Sequence, residues 1–184
     1  MNAFESIVAR ILTSEGYWTQ TNYKVELSKN QKVEIGRQTS PRWDLDVIAY
    51  QPRTNVLWVV ECKSYLDSGG VNFRGFDPAT GGTERYKLFN EEKLRDVVFG
   101  ELVHQLSEDQ LIHGNPDVKL CLAAPNIQEG SHDKLRSHFE ANEWNLFDIN
   151  WIIKRLQKIA DAGYDDSAVS IMAKLYDAAG SVGN

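Results

Sequence analysis

The sequence predicts an α/β fold with a central mixed sheet flanked by helices, and three observations lead to that prediction. Helix-like and strand-like runs follow the order α-β-β-β-α-β, with extra C-terminal helices at about 131–180. The composition, 42% hydrophobic and 25% charged, is that of an ordinary globular protein. A length of 184 residues suffices for one good core, so we expect a single domain over 1–184, with its core at about 2–126.

The first part of the chain predicts one helix and three strands. Gly16 is placed to end a helix whose apolar residues recur at helix spacing: Phe4, Ile7, Val8, Ile11 and Leu12. Alternation over residues 17–27 predicts the first strand, and the polar stretch 30–42 is interpreted as a turn or hairpin. The runs WDLDVIAY and VLWVVECKSY predict two more strands, joined by the tight turn QPRTN.

The rest of the chain predicts a long loop, a fourth strand and several helices. We expect Asn90 to cap a helix through residues 91–114, followed by a strand at 118–126 and a short helix at 132–142. Two amphipathic helices then close the chain, and their apolar residues are expected in the core: Trp151, Ile152, Leu156, Ile159, Val169, Met172 and Leu175. Apolar surface left over on these helices would suit a homodimer.

Several classes of protein are disfavoured by the same sequence. No apolar run approaches the roughly 18 residues needed to cross a membrane. The N-terminus lacks the basic start and the cleavage site typical of a signal peptide. Cys62 and Cys121 lie inside strand-like runs and are expected to be small core residues. We therefore expect a cytoplasmic protein with no membrane partner.

The charge distribution leaves room for a polyanionic partner. A net charge of −6 argues against a general nucleic-acid coat protein. Acidic residues outnumber basic ones from Glu129 onward, however, whereas basic residues outnumber acidic ones between Thr19 and Arg95. A polyanion could therefore bind the central part of the chain, although a solvated mixed surface explains the charges equally well.

The stretch LWVVECKSY places charged residues at the end of a core strand. Alternation puts Glu61 and Lys63 on one face and Cys62 on the other. Asp46 lies on the preceding strand, and pairing of the two strands would bring it to the same end of the sheet. Glu5, on the first helix, could approach the same edge. Three carboxylates and a lysine would then converge, and a cation would relieve the repulsion between the carboxylates.

The expected cation site is built from hard oxygen ligands, which favour Mg²⁺ over zinc and allow Mn²⁺ to substitute. We expect Asp46, Glu61 and the backbone carbonyl of Cys62 to hold an ion that activates water, while Lys63 orients the nucleophile or offsets charge on a phosphate. Asp44 is the competing first acid, because alternation puts it on the same face as Asp46. Two other acid–lysine combinations are given a structural interpretation: residues 91–93 as a helix start, and residues 117–119, which have no obvious acidic partner strand, as a loop and strand start.

SPRWDLDVIAY followed by LWVVECKSY resembles the core of the PD-(D/E)xK nuclease superfamily, and in particular its Holliday-junction-resolvase-like and Mrr-type restriction-endonuclease branch. The resemblance covers roughly residues 2–126 and implies a restriction-endonuclease-like αβββαβ core. Carried over by position, it makes Asp46 and Glu61 the metal-binding acids and Lys63 the catalytic lysine. It also implies catalytic roles for Glu5, as the first-helix acid of some branches, and for Gln105, as a polar residue on the helix after the lysine strand.

The resemblance implies a metal-dependent DNA endonuclease that hydrolyses phosphodiester bonds with water activated by Mg²⁺. The pattern departs at one place, because no proline immediately precedes the first acid and Pro41 lies farther upstream. One alternative is a catalytically silent nuclease fold that only binds DNA or protein, against which the complete set of Asp46, Glu61 and Lys63 argues. Another is a different metal-dependent hydrolase, for which the sequence contains no second motif.

The Gly-rich segment 66–89 is the expected specificity element, because it is too long for a passive connector. Basic and aromatic residues interleave there, a mixture suited to phosphates and exposed bases. Nucleic-acid contacts are expected from four of its residues and one upstream arginine: Arg42, Arg74, Arg85, Tyr86 and Lys87. The alternative is that the aromatic side chains of the segment pack onto the core.

Overall fold

The computed structural model describes residues 2–40, 42–80, 83–163 and 165–182. Its helices and strands follow one another in this order: α1 (Ala3–Ser14), β1 (Trp18–Glu26), α2 (Lys29–Glu34), β2 (Arg42–Gln51), β3 (Val56–Cys62), α3 (Lys87–Asn90), α4 (Glu92–Glu108), β4 (Asp117–Ala123), α5 (His132–Ala141), β5 (Asn145–Phe147), α6 (Ile149–Asp161) and α7 (Ala168–Val182). Short 3₁₀ turns occupy part of the segment between β3 and α3: Phe73–Gly75, Pro78–Thr80 and Thr83–Arg85. Within these described ranges, no helix has the length and apolarity needed to cross a membrane.

The strands form one five-stranded sheet in the order β1-β2-β3-β4-β5. β1, β2 and β3 are antiparallel neighbours, whereas β3, β4 and β5 run parallel. Helices cover both faces of this mixed sheet, so the predicted α/β class is confirmed. The sequence does not predict β5, because a strand of three residues is too short to show alternation.

Each face of the sheet carries its own apolar cluster. Helices α1 and α6 cover one face, and the buried members of that cluster include Phe4, Val8, Ile11, Leu12, Val47, Val60, Cys62, Cys121, Ile152 and Ile159. Helices α4 and α5 cover the other, and its buried members include Leu45, Ile48, Leu57, Val59, Leu94, Val98, Leu102, Leu135 and Phe139. Both cysteines are buried and free, as the sequence predicts.

Helix α1 is fixed at both ends by local hydrogen bonds. The Asn2 side chain accepts from the N–H of Phe4, and the Glu5 carboxylate reaches back to the N–H of Asn2, which forms a capping box. At the other end Gly16 has φ +89°, and the N–H of Tyr17 donates to a carbonyl of the last turn. The predicted glycine cap is confirmed, and the first turn of α1 holds Glu5 at the sheet.

Three predictions about these helices are wrong. The polar stretch after β1 contains helix α2, because Ser28 and Gln31 form a capping box that starts a helical turn. The predicted helix at 91–114 is shorter, since α4 ends at Glu108 and Gln110 has φ +57°. Asn90 does not cap it: Asn90 is the last residue of α3, and its side chain donates to the carbonyl of Gly75 at 2.8 Å.

The aromatic residues of segment 66–89 mostly pack onto the core. Phe76 is 1% exposed, and both Tyr86 and Phe89 are 4% exposed. The rings of Phe76 and Tyr86 stack with their centroids 4.2 Å apart. Gly75 permits this stacking, because a Cβ at that position would lie within 3.0 Å of two ring carbons of Tyr86. For these three rings, the alternative of core packing is confirmed.

We expect Gly75→Ala to destabilise the protein by about 1–3 kcal/mol, because the added methyl group must displace the Tyr86 ring from a packed position. The measurement is the free energy of unfolding from a denaturant titration of both proteins. Gly100→Ala is the matched control, since nothing lies within 4 Å of a Cβ added there. Equal losses in the two variants would contradict the packing role of Gly75.

Polar contacts fix both ends of helix α6. Asp148 caps α6 by accepting from the N–H of Trp151 at 2.9 Å, and it also contacts His132 of α5. Lys174 of α7 donates to two carbonyl oxygens at the end of α6.

Met172 and Leu175 of α7 are 65% and 60% exposed, so their predicted core positions are wrong. Helix α7 packs mainly on α6, which leaves the far side of α7 uncovered. The homodimer stays a prediction.

Candidate functional site

Asp46 lies at a point where β1 and β2 interrupt their regular alternation. Leu45 packs in the cluster under α4, whereas Val47 packs in the cluster under α1, although residues two apart should share a face. On β1, Asn22 lies between the residues that pair with these two and has φ +51°. The interruption therefore affects both strands at the same level and places Asp46 at the boundary between the two faces.

Asp44 does not share the surroundings of Asp46, contrary to the prediction from alternation. Its side chain is 61% exposed and makes an ion pair with Arg42 at 3.1 Å. The Asp46 side chain is only 27% exposed. The irregular backbone between the two acids explains the difference, since a regular strand would have aligned them. Asp46 is the acid that faces β3.

Asp46, Glu61 and Lys63 converge at one end of the sheet. The β2–β3 register pairs Val47 with Val60, so the next position places Asp46 opposite Glu61. Asp46 Oδ2 accepts from the backbone N–H of Cys62 at 2.7 Å. The Lys63 ammonium contacts Glu61 Oε1 and lies 4.0 Å from Asp46 Oδ2. Strand pairing thus brings Asp46 of β2 to the charged pair Glu61 and Lys63 at the end of β3.

Glu5 approaches this group from helix α1. It is 7% exposed, and its Oε2 accepts from the side-chain amide of Asn22 at 3.3 Å. Asn22 has a left-handed backbone, which asparagine adopts more readily than most residues. The charge of Glu5 also acts on Glu61. The four residues Glu5, Asp46, Glu61 and Lys63 are named the acidic cluster below.

The electrostatics of the acidic cluster show an excess of negative charge. Burial raises the pKa of Glu61, and the charges of Asp46 and Glu5 raise it further, against the opposing effect of Lys63. Burial alone would lower the pKa of Lys63, but attraction to Glu61 and Asp46 raises it overall. One ammonium group therefore does not balance the buried carboxylates, and an additional cation would stabilise them.

The donor atoms of the acidic cluster suit a hard divalent ion. Mg²⁺ typically binds through one or two carboxylates and keeps several waters, which matches the pair Asp46 and Glu61. The N–H of Cys62 faces Asp46, and the carbonyl of an extended residue points to the same side as its N–H, so this oxygen also faces the acids. The thiol of Cys62 packs in the α1 cluster instead. Among the described residues, no three His, Cys, Asp or Glu side chains form a ready-made metal site.

Gln105 lies away from the acidic cluster. Its side-chain amide makes hydrogen bonds with the backbone of Glu26, donating to the carbonyl at 2.7 Å and accepting from the N–H at 3.3 Å. It also donates to Glu101. Glu26 pairs with Arg42 at the start of β2, four residues before Asp46. The contacts observed for Gln105 are those of a side chain that terminates the edge strand β1.

The predicted nucleic-acid-binding residues fall into three groups. Arg74 and Arg85 are exposed on 3₁₀ turns that pack together, and the charge of Arg85 acts on the Tyr86 hydroxyl. Lys87 is partly buried and makes an ion pair with Glu84 at 3.5 Å. Arg42 is held by its ion pair with Asp44 at the start of β2, four residues before Asp46. The Tyr86 ring is buried and cannot stack on a base, because Phe76 already covers it.

Sequence reasoning missed two residues beside the acidic cluster. Asn22 supports Glu5, and its identity carried a signal: asparagine is depleted in strands and enriched at positive φ. Tyr65 has φ +40°, and its side chain interacts with Lys63 and with the Tyr86 hydroxyl. No sequence pattern predicts this positive φ, because tyrosine rarely adopts it.

Comparison with protein-family models and with curated proteins gives no match. Among solved structures, the chain is similar to the crystal structure of a protein of unknown function, AF1548. The two are 14% identical, with a TM-score of 0.46, and the similarity covers 90% of this chain and 73% of that one. At this TM-score the similarity supports no inference about function.

Proposed function

We propose that this protein is a metal-dependent DNA endonuclease of the PD-(D/E)xK type, acting in the cytoplasm. The observation that carries the proposal is the meeting of Asp46, Glu61 and Lys63 at one end of paired strands. The order α1, β1, β2, β3, α4, β4 agrees with the αβββαβ core that the sequence resemblance implies, with α2 and α3 as additions. The restriction-endonuclease-like core and the superfamily membership are parts of this proposal.

In the proposed site, Asp46, Glu61 and the carbonyl oxygen of Cys62 hold Mg²⁺. When bound, the ion supplies a water of lowered pKa and neutralises charge on the phosphate. Asp46 is oriented for this role by the N–H of Cys62. Glu5, held by Asn22, adds negative charge that favours the cation.

Lys63 is the group proposed to act on the substrate. Its ammonium contacts Glu61 and lies near Asp46, so it is held where a phosphate beside the ion would lie. There it orients the attacking water or stabilises negative charge that grows in the transition state. Because that charge is larger in the transition state than in bound DNA, the lysine should accelerate cleavage more than it tightens binding.

The proposed DNA contacts lie on the segment that follows β3. Arg74 and Arg85 are exposed there, on two 3₁₀ turns that follow Lys63 in the chain. Arginine forms paired hydrogen bonds with phosphate oxygens, which positions a duplex without reading its sequence. The buried Tyr86 is assigned no base contact, and neither is Arg42, which is paired with Asp44 at the start of β2.

A catalytically silent module is the second candidate, and one observation favours it. Lys63 and Glu61 already form a direct ion pair, which is also what a purely structural salt bridge would show. A structural pair, however, does not explain two further carboxylates whose charges raise the pKa of Glu61. Such an arrangement is unfavourable without a cation, and sites of this kind are typically functional.

We expect the protein to cleave DNA in Mg²⁺ or Mn²⁺ and to stop cleaving when EDTA removes the ion, because the carboxylates alone cannot activate water. The measurement is a gel assay with labelled duplex, forked, branched and single-stranded DNAs. Asp46→Asn is the control for a contaminating nuclease, since it removes one charge from the site without changing its shape. Cleavage by Asp46→Asn at the wild-type rate, or DNA binding without cleavage by the wild type, would favour the silent module.

A further inference from the structure

Tyr65 has an uncommon backbone conformation two residues after Lys63. Its φ of +40° lies in the left-handed region, which is rare for a bulky side chain. Residues held in such conformations persist only where their surroundings fix them, and they cluster at functional sites. The side chain of Tyr65 is partly exposed and packs at the edge of the cluster under α4.

The turn that contains Tyr65 is fixed by the end of β4. The carbonyl oxygen of Tyr65 accepts three hydrogen bonds, from Ser68 N and Ser68 Oγ at 3.2 Å each and from Asn126 Nδ2 at 2.6 Å. Gly70 has φ +80° and packs directly against Asn126, which in turn accepts from the N–H of Val71. The unusual conformation is therefore imposed by the fold.

The hydroxyl of Tyr65 is held close to the acidic cluster by a buried partner. Tyr86 makes a side-chain hydrogen bond with Tyr65, and its ring is fixed between Gly75 and Phe76. Burial raises the pKa of Tyr86, and the hydrogen bond with Tyr65 raises it further, which is the effect of a hydrogen bond that Tyr86 donates. Tyr65 also acts electrostatically on Lys63, so its hydroxyl lies within electrostatic reach of that ammonium.

We propose that Tyr65 is a phosphate-binding residue of this site, whose hydroxyl donates a hydrogen bond to a non-bridging oxygen of the phosphodiester beside Lys63. A fixed turn, a buried partner that orients the oxygen, and a position next to the catalytic lysine together support this role. The inference rests on the proposed function and adds a residue that neither the motif nor alternation predicts. Tyr86 acts only through Tyr65 and is a positioning residue.

We expect Tyr65→Phe to lower kcat/KM for DNA cleavage about tenfold to a hundredfold, because it removes one donor to the phosphate and keeps the ring. Tyr86→Phe should have a smaller effect of the same kind. Since Tyr86 acts through Tyr65, the double variant should cleave no more slowly than Tyr65→Phe alone. DNA affinity, measured by fluorescence anisotropy in the Lys63→Ala background where cleavage is slow, should fall about threefold to tenfold for Tyr65→Phe.

Tyr50→Phe is the matched control, because that hydroxyl bonds Asn55 and the N–H of His113 at the opposite end of β2. It should lower the melting temperature without changing kcat/KM or affinity. A structural role for Tyr65 predicts the same pattern in Tyr65→Phe, and that result would overturn the inference. If the wild type binds DNA but never cleaves it, the proposed function fails, and the affinities of the same variants still decide the role of Tyr65.

Discussion

Replacing Lys63 by alanine is expected to slow DNA cleavage about 10²- to 10³-fold while leaving the fold and the affinity for DNA nearly intact. The Lys63 ammonium contacts Glu61 and lies 4.0 Å from Asp46, so it sits beside both proposed metal ligands. Its charge offsets charge that is larger in the transition state than in the bound substrate, so its loss affects kcat more than KM. The measurements are single-turnover cleavage, DNA affinity and the melting temperature.

Lys119→Ala is the matched control for this variant. Lys119 lies on the neighbouring strand β4, is 32% exposed, against 22% for Lys63, and makes an ion pair with Asp117 at 3.2 Å. It therefore tests the loss of a comparable strand lysine outside the site, and cleavage should be unchanged. Full nuclease activity in Lys63→Ala would contradict the proposed mechanism. A loss of stability in Lys63→Ala, with no cleavage by the wild type, would favour a structural ion pair.

Replacing Glu61 by glutamine is expected to reduce Mn²⁺ affinity more than about 100-fold, because a charged ligand becomes neutral, and even outer-shell changes cost 10- to 100-fold. Isothermal titration with Mn²⁺ measures this directly, without any DNA. Cleavage should be lost together with the ion. Asp44→Asn is the control, since the exposed Asp44 pairs with Arg42 and should not contribute to metal binding. Loss of Mn²⁺ binding in Asp44→Asn would instead restore Asp44 as the first acid.

The same Glu61 variant should be more stable than the wild type at neutral pH. The pKa of Glu61 is raised in the folded protein, so the folded state binds its proton more tightly than the unfolded chain does. Stability is therefore lost as pH rises from the ordinary glutamate value of 4.5 through the raised pKa. Glutamine has no proton to lose, so the melting temperature of Glu61→Gln should exceed that of the wild type at pH 8 and approach it near pH 4.5. An equal difference at both pH values would contradict this origin of the effect.

The fold class could be predicted from the sequence because long elements carry a clear periodicity. The apolar residues of α1 and the cap at Gly16 are where the pattern places them. Short elements escaped prediction, since β5 has three residues and α2 has six, starting from a local capping box in a polar stretch. Exposure of Met172 and Leu175 could not be predicted either, because periodicity identifies an apolar stripe but not whether another element covers it.

The positions of the candidate site residues could be predicted only in part, because alternation holds only in regular strands. Glu61 lies on β3 and Lys63 directly follows that strand, so alternation alone predicts that they meet. Asp46 and Asp44 could not be separated by the same rule, because the rule assumes regular strands and both β1 and β2 are interrupted at this level. The burial of Tyr86 could not be predicted either, because an aromatic residue in a Gly-rich loop can face the solvent or the core with the same sequence.

By itself, the sequence determined the local properties of this protein: which runs form helices and strands, and which strand ends in Glu61 and Lys63. These properties depend on side-chain periodicity and on capping residues close in the chain. Only the tertiary structure decided that Glu5 acts on Glu61 and is held by Asn22, that Gln105 lies elsewhere, and that the turn at Tyr65 is held by Asn126. Each of these facts depends on contacts between distant segments, and the register of strand pairing and positive backbone φ angles set those contacts.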